Sequence, residues 1–370
     1  MSPQPLQRLV VKIGSSVLTD QDGRLVPARL AQLVAEIAAC VARRRQVLVV
    51  SSGAIACGMA RLGLKRRPKE LAQLQACAAI GQSELMHRYS EAFNTHGLLT
   101  AQVLLTQEDL SDQVRQRNAT RTLLTLLARG VIPIVNENDT VAVEEITFGD
   151  NDRLAALVTS AVDAQLLVLL SDVEGLLHDG HLIERIDATS HMAHQPLARG
   201  ATRPTTIGGM ASKLVAARIA GHHGIPTVIA NGLRPSVLTD LLDGKPVGTL
   251  CVQAPHRLSR HKWWIAFALR QPKGEVVIDR GAAEALLERG KSLLASGILE
   301  VRGRFEAGSC VSVTDGDRRE LARGVTNFSS GELARVRGLK SAEAAQVLGR
   351  ERVGEAIHRD HLVFAQEVHP

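Results

Sequence analysis

Lys12 stands at the end of an otherwise apolar stretch, Leu9-Val10-Val11, and is followed closely by Gly14-Ser15-Ser16. A buried ammonium is costly unless it meets an anion, and a neighbouring glycine lets backbone N–H groups come close to a phosphate. The plain alternative is a strand-end lysine that snorkels to water. A second arrangement of the same kind lies far downstream, where Gly208-Gly209-Met210-Ala211-Ser212-Lys213 opens the helix Leu214 to Ala220. A glycine pair leading to a helix N-terminus that carries a lysine reads as a second phosphate cradle, although a loop with a solvated lysine has the same composition. Between these lysines lie two clusters rich in carboxylates and amides, Asn136-Glu137-Asn138-Asp139 and Gly149-Asp150-Asn151-Asp152. A helix asks for one capping side chain. Two carboxylates and an amide in succession exceed that, and suit holding a Mg²⁺-phosphate, orienting lysines or gripping an ammonium group. Ser52 with Gly53, and Ser171 with Asp172, are weaker signals that read equally well as caps.

The elements that must position these residues are legible from periodicity. Six apolar stretches run into Gly, Ser, Asp or Asn and then into an amphipathic helix: around Leu9 to Val11, Val47 to Val50, Leu99 to Leu105, Val131 to Val135, Leu166 to Leu170 and Pro226 to Ala230. Near-continuous apolar strands alternating with helices predict a parallel sheet covered on both faces. In such a sheet ligands bind beyond the carboxyl ends of the strands, where the polar clusters converge. After about residue 250 the pattern changes to short strand-like pieces, Glu275 to Ile278, Ile298 to Val301, Cys310 to Val313 and Arg323 to Asn327, punctuated by glycines. That texture predicts a small β-rich domain with one helix at Ala282 to Glu288 and a last helical segment from Ser341 through Ala356. The expected organisation is a catalytic domain over 1–255, a linker over 256–272 and a β-rich domain over 273–370.

Length and composition narrow the classes. A chain of 370 residues exceeds one ordinary core. Its apolar runs are too short to span a bilayer and its start lacks a secretory apolar core, so a cytoplasmic protein without membrane contact is expected. Five cysteines, Cys40, Cys57, Cys77, Cys251 and Cys310, show no paired spacing and read as reduced, buried thiols. The net charge of +6 is spread nearly evenly, and the chain has six Phe, two Trp and one Tyr, which is weak evidence for nucleic acid. Gly290-Lys291-Ser292 ends like a P-loop, but Ala285 occupies the position of its first glycine, and no dinucleotide fingerprint is present. His191 with His194, and His222 with His223, lack further ligands at zinc-like spacing, so no metal site is expected from side chains alone.

In order and spacing, Val11-Lys12-Ile13-Gly14-Ser15-Ser16, Ser51-Ser52-Gly53-Ala54, Ala79-Ile80-Gly81-Gln82, Val135-Asn136-Glu137-Asn138-Asp139, Gly149-Asp150-Asn151-Asp152, Ser171-Asp172 and Gly208 to Lys213 resemble the glutamate 5-kinases of the amino acid kinase family. The resemblance runs from about residue 7 to 250, and the remainder looks like the PUA domain that many of these enzymes append. It implies an open αβα sandwich and transfer of the ATP γ-phosphoryl group to the side-chain carboxylate of L-glutamate, with Mg²⁺ dependence, feedback inhibition by proline and homo-oligomers. Carried over by position, Lys12 and Lys213 flank the migrating phosphoryl group and Asp152 holds them. Ser52, Asp139 and Asn151 bind glutamate. Ser171, Asp172, Ile207, Gly208, Gly209, Met210, Ala211, Ser212 and Lys213 contact ATP, as does Lys12. The chain departs from the family's pattern at Thr206-Ile207, where Gly-Thr is usual, and in a short loop from Val173 to Leu182. Two other readings stay open on sequence alone: an RNA-binding or regulatory protein acting through the β-rich tail, and a related amino acid kinase with another substrate.

Overall fold

The structure is a computed structural model that describes residues 6–142, 150–187, 209–253, 257–269 and 272–365. It divides into two compact units, Met1–Arg257 and Leu258–Pro370.

The first unit is built on strands β1 Arg8–Ile13, β2 Gln46–Ser51, β3 Thr100–Leu105, β4 Ile132–Glu137, β5 Leu166–Ser171, β6 Leu177–His178, β7 His181–Leu182, β8 Arg185–Asp187, β9 Thr227–Asn231 and β10 Thr249–Val252. Its main sheet runs β3-β4-β2-β1-β5-β9-β10-β8. The six strands from β3 to β9 in that order are mutually parallel, and β10 pairs antiparallel to β9. All six apolar stretches of the sequence are strands here, and β6 and β7 form a small hairpin in the short 173–182 loop. The chain lays β2, β4 and β3 on one side of β1 and β5 and β9 on the other. The winding therefore reverses at β1, the place where parallel sheets leave a crevice at their carboxyl edge.

Helices α1 Ser15–Leu18, α2 Pro27–Ala42, α3 Ala54–Arg61, α4 Leu71–Asn94, α5 Gln107–Ser111, α6 Gln113–Ala128, α7 Asp150–Ala161, α8 Met210–His222 and α9 Val237–Leu242 cover the sheet. Side chains alternate between the faces of a strand. Leu9, Val11 and Ile13 of β1 enter a core with Leu33 and Ile37 of α2, Leu85 and Tyr89 of α4 and Val237 of α9. Lys12 has the opposite parity, and its ammonium reaches Asp152 of α7 instead. The Asp150-Asn151-Asp152 run forms the first turn of α7.

The second unit carries a five-stranded sheet ordered β12-β11-β13-β14-β15, formed by β11 Gly274–Ile278, β12 Ile298–Gly303, β13 Cys310–Thr314, β14 Glu320–Val325 and β15 Leu362–Phe364. Helix α10 Arg260–Trp263 continues into a π-helical turn, Trp264–Ala268, and α11 Arg280–Leu287, α12 Ser330–Val336 and α13 Ser341–Leu348 complete the unit. A separate apolar core joins Val276, Val311, Val313, Leu333, Ala344 and Leu362. The final helix is shorter than the expected Ser341 to Ala356, because Gly349 adopts φ 64°, a left-handed conformation that closes α13. Helix α12 and strand β15 have no counterpart among the elements expected from sequence.

Candidate active site

The residues at the carboxyl edge of β1 form a buried ionic cluster. The Lys12 Nζ lies 2.6 Å from Asp152 Oδ1, and the Lys213 Nζ lies 3.4 Å from Asp152 Oδ2. Ser212 Oγ donates to that same Oδ2 at 2.6 Å. Relative exposure is 6% for Lys12, 4% for Lys213 and 0% for Asp152. Three elements distant in sequence therefore meet on one carboxylate, because the parity of β1 sends Lys12 to the face where the first turns of α7 and α8 end.

Two ammonium groups share one carboxylate in a nearly dry place. Burial opposes ionisation of Asp152, but the neighbouring ammonium groups outweigh it and hold the carboxyl down to about 2. Burial lowers the pKa of Lys213, the charge of Lys12 adds to that, and Asp152 only partly offsets them. Asp172, just past β5, supplies further negative charge to Lys213, and Ser171 Oγ donates to Asp172 at 3.2 Å. Two buried ammonium groups side by side suit an anionic ligand.

A second cluster adjoins the first, since Asn151 precedes Asp152 in α7. The Asn151 Nδ2 donates to Ser52 Oγ at 3.1 Å and to Asn136 Oδ1 at 3.0 Å. The Asn136 Nδ2 donates to Gln82 Oε1 at 2.8 Å. Ser52 follows β2, Asn136 sits in β4 and Gln82 in α4, so this network ties the same carboxyl edge to a neighbouring helix. Asp139 lies in the turn after β4, and its charge acts on half-buried Arg67, whose pKa burial lowers.

The structure brings several of the expected site residues together. Lys12, Asp152, Ser212 and Lys213 come together, as do Ser52 and Asn151, while Met210 and Ala211 form the start of α8 after Gly209. Ile207 and Gly208 lie outside the described residues, as do Thr206, His191 and His194. Gly14's own N–H donates to Leu170 O at 3.0 Å and ties β1 to β5. Gln82 and Asn136 belong to recognised motifs in which sequence gives them no role, and Arg67 carries no sequence signal at all. All five cysteines are buried and unpaired, and burial pushes Cys40 up to about 11 and Cys57 up to about 12. Thiolate chemistry is thereby set against. No helix of the described residues is long and apolar enough to cross a membrane.

Comparison with known proteins explains the arrangement. The amino acid kinase family pattern matches residues 7–231. The chain belongs to the amino acid kinase family. A PUA domain pattern matches residues 274–348 of this amino acid kinase, in the second unit. The glutamate 5-kinase of Thermus thermophilus is 48% identical to it over 371 residues, 98% of each chain. Those of Pelobacter propionicus and Geobacter sulfurreducens are 45% and 46% identical over 365 and 366 residues, 97% of each chain. A carbamate kinase structure from Giardia is 18% identical and covers 67% of this chain and 99% of its own, with a TM-score of 0.50. At that identity the likeness speaks to the fold of the kinase unit alone.

Proposed function

We infer that the protein phosphorylates the side-chain carboxylate of L-glutamate at the expense of ATP, giving glutamyl 5-phosphate, the first step towards proline. One observation carries the reading: glutamate 5-kinases are 45% to 48% identical along essentially the whole chain, tail included. The geometry then accounts for the chemistry. A glutamate side chain has a pKa of about 4.3, so the nucleophile is already ionised at neutral pH and needs no general base. Its oxygen attacks the γ-phosphorus, the bond to the β–γ bridging oxygen breaks, and ADP leaves with that electron pair. The obstacle is the approach of one anion to another, which makes positioning and cationic stabilisation the main catalytic terms.

We assign the residues accordingly. Lys12 and Lys213 meet the migrating phosphoryl group, Asp152 restrains their mutual repulsion, and Ser212 fixes Asp152. Ser52 and Asn151 bind the amino acid with Asp139, which selects the α-ammonium. Ser171, Asp172 and the stretch from Ile207 to Lys213 contact ATP. The paired ammonium groups fit phosphate oxygens. Mg²⁺ bound with the nucleotide would supply charge neutralisation on the polyphosphate.

The same reading makes this a cytoplasmic enzyme that assembles as a homo-oligomer and is inhibited by proline, whose ammonium and carboxylate match those of glutamate. The rival reading, an RNA-binding protein working through its tail, is not favoured, since kinases are similar along the tail as well. Incubation with ATP, Mg²⁺, glutamate and hydroxylamine tests the reaction, because an acyl phosphate is trapped as the hydroxamate. Glutamate-dependent hydroxamate is expected. Its absence, or equal product with aspartate, N-acetylglutamate or carbamate, would overturn the substrate assignment.

A further inference from the structure

The amide network has a direction, and that direction is set by a single main-chain group. A backbone N–H only donates, so the side-chain atom of Asn136 that lies 2.9 Å from the Glu137 N–H is its oxygen, Oδ1. The Asn136 nitrogen then faces Gln82, which must present its carbonyl Oε1 there. Because Asn136 Oδ1 is an acceptor, the Asn151 atom that faces it must be Nδ2, and the same nitrogen donates to Ser52. Polarity thus passes through three amides without ambiguity. It leaves two buried ends without a partner among the described residues: the Asn151 Oδ1, an acceptor, and the Gln82 Nε2, a donor. A free buried acceptor beside the phosphoryl cluster suits an ammonium, and leaving it unfilled is costly.

We propose that Gln82 is a positioning residue for the amino-acid substrate: its carbonyl holds Asn136, and Asn136 keeps the Asn151 oxygen turned out to accept the α-ammonium. The proposal rests on the glutamate kinase reading and deepens it. Asn136 is buried and held at both ends of its amide, the oxygen by the Glu137 N–H and the nitrogen by the Gln82 carbonyl, so Gln82 shares with the main chain in keeping this amide from rotating. The backbone beneath Gln82 is itself fixed. A Cβ at Gly81 would come 1.8 Å from the Ala54 carbonyl oxygen, so α4 rests directly on α3 at this point. Without Gln82 only the Glu137 N–H opposes a flip of Asn136, and in the flipped state Asn151 turns with it and offers an NH₂ donor to an ammonium, which it repels.

The test uses the full-length enzyme with Gln82→Met, which keeps the length and loses the hydrogen bond, and Gln82→Glu, whose carboxylate still accepts from Asn136 but lacks the nitrogen donor. Gln82→Met is expected to raise KM for glutamate about tenfold, the loss of roughly one hydrogen bond, with KM for ATP, kcat and Tm little changed. Gln82→Glu is expected to recover most of that loss. An unchanged glutamate KM in Gln82→Met overturns the proposal. So does a Gln82→Glu enzyme as impaired as Gln82→Met, which would make the nitrogen the working end. So does a parallel fall in Tm with both Michaelis constants raised, which would make Gln82 merely structural. Wild-type enzyme run alongside separates the two levels: a wild type without glutamate-dependent hydroxamate removes the functional reading and this proposal with it, whereas an active wild type with an indifferent Gln82→Met removes the proposal alone.

Discussion

Asp152 has to satisfy two cations while remaining available to neither substrate, and its surroundings explain how. Each of its oxygens takes one lysine, and Ser212 fills the remaining direction on Oδ2. Replacing it with asparagine keeps the shape and leaves two ammonium groups without their counter-charge. Asp152→Asn is therefore expected to lower the stability of the ligand-free protein by about 3 kcal/mol at neutral pH, read from urea unfolding. The sign of its pH dependence follows from a folded pKa of about 2 against an unfolded value of about 3.9. The stabilisation is fully present above the unfolded value and is lost as pH falls through the folded one, so wild type and variant should converge towards pH 2. A gap that persists there would mean Asp152 acts through something other than its charge. Lys213 behaves in the opposite sense. Burial lowers its pKa, so the free enzyme should lose the Lys213 charge at a pH below that of an ordinary lysine. kcat/KM for ATP should fall on an alkaline limb beginning below about 10.4, and Lys213→Arg should move that limb upward even if it lowers the rate. Lys213→Ala should reduce kcat by about two to three orders of magnitude with the fold intact by circular dichroism. A fully active Lys213→Ala enzyme would remove the lysine from the chemistry.

At the scale of elements, the site depends on how closely α3 and α4 approach, because α3 follows Ser52-Gly53 and α4 carries Gln82. Added Cβ atoms at Gly58 and Gly81 would meet the carbonyl oxygens of Cys77 and Ala54 at 1.8 Å, so both glycines are there for contact between backbones. Gly81→Ala should force the helices apart, costing about 1 to 3 kcal/mol of stability. It should also raise KM for glutamate, since Gln82 moves with the same turn. Retention of both Tm and KM would show that the helices adjust without disturbing the amide network. The strands are legible in the amino-acid sequence because a doubly covered parallel strand leaves an unbroken apolar run, and the functional clusters are legible because they interrupt those runs with glycines, lysines and carboxylates. Lys12 is the plainest case: a charge in β1 has no packing reason to be there. Gln82 is not legible as a participant. It lies on a half-buried helix face where glutamine is common, and only the partner it meets, 54 positions away, gives it a role. The bond of Gly14 to Leu170 is illegible for a similar reason: sequence shows that backbone can come close at a glycine, and the fold decides which backbone does so. In the tail, β15 leaves no pattern because three residues are too few for periodicity, and α13 ends early because a left-handed glycine outweighs the helical composition beyond it.

The whole molecule consists of two units with separate cores, and the place where the chain passes between them matters for any attempt to separate their roles. Composition suggests cutting near residue 270, after a polar connection. The structure assigns residues from Leu258 onward to the second unit. Within that stretch Trp263, Ile265, Phe267 and Ala268 are buried, and the π-helical turn packs on β14 and β15. A protein ending at residue 270 would keep these apolar side chains and lose the strands they pack on, exposing a patch of the kind that drives association. A protein ending at Arg257 would keep the eight-stranded sheet and both helix layers, together with every catalytic residue assigned above. The 1–257 form should therefore be soluble and make glutamate-dependent hydroxamate, while the 1–270 form should aggregate in light scattering despite the same catalytic residues. The isolated 258–370 segment, measured against RNA over a salt series, should show no tight salt-sensitive binding. If 1–257 proves inactive although folded, the second unit contributes to catalysis, and the separation of cores does not extend to a separation of function.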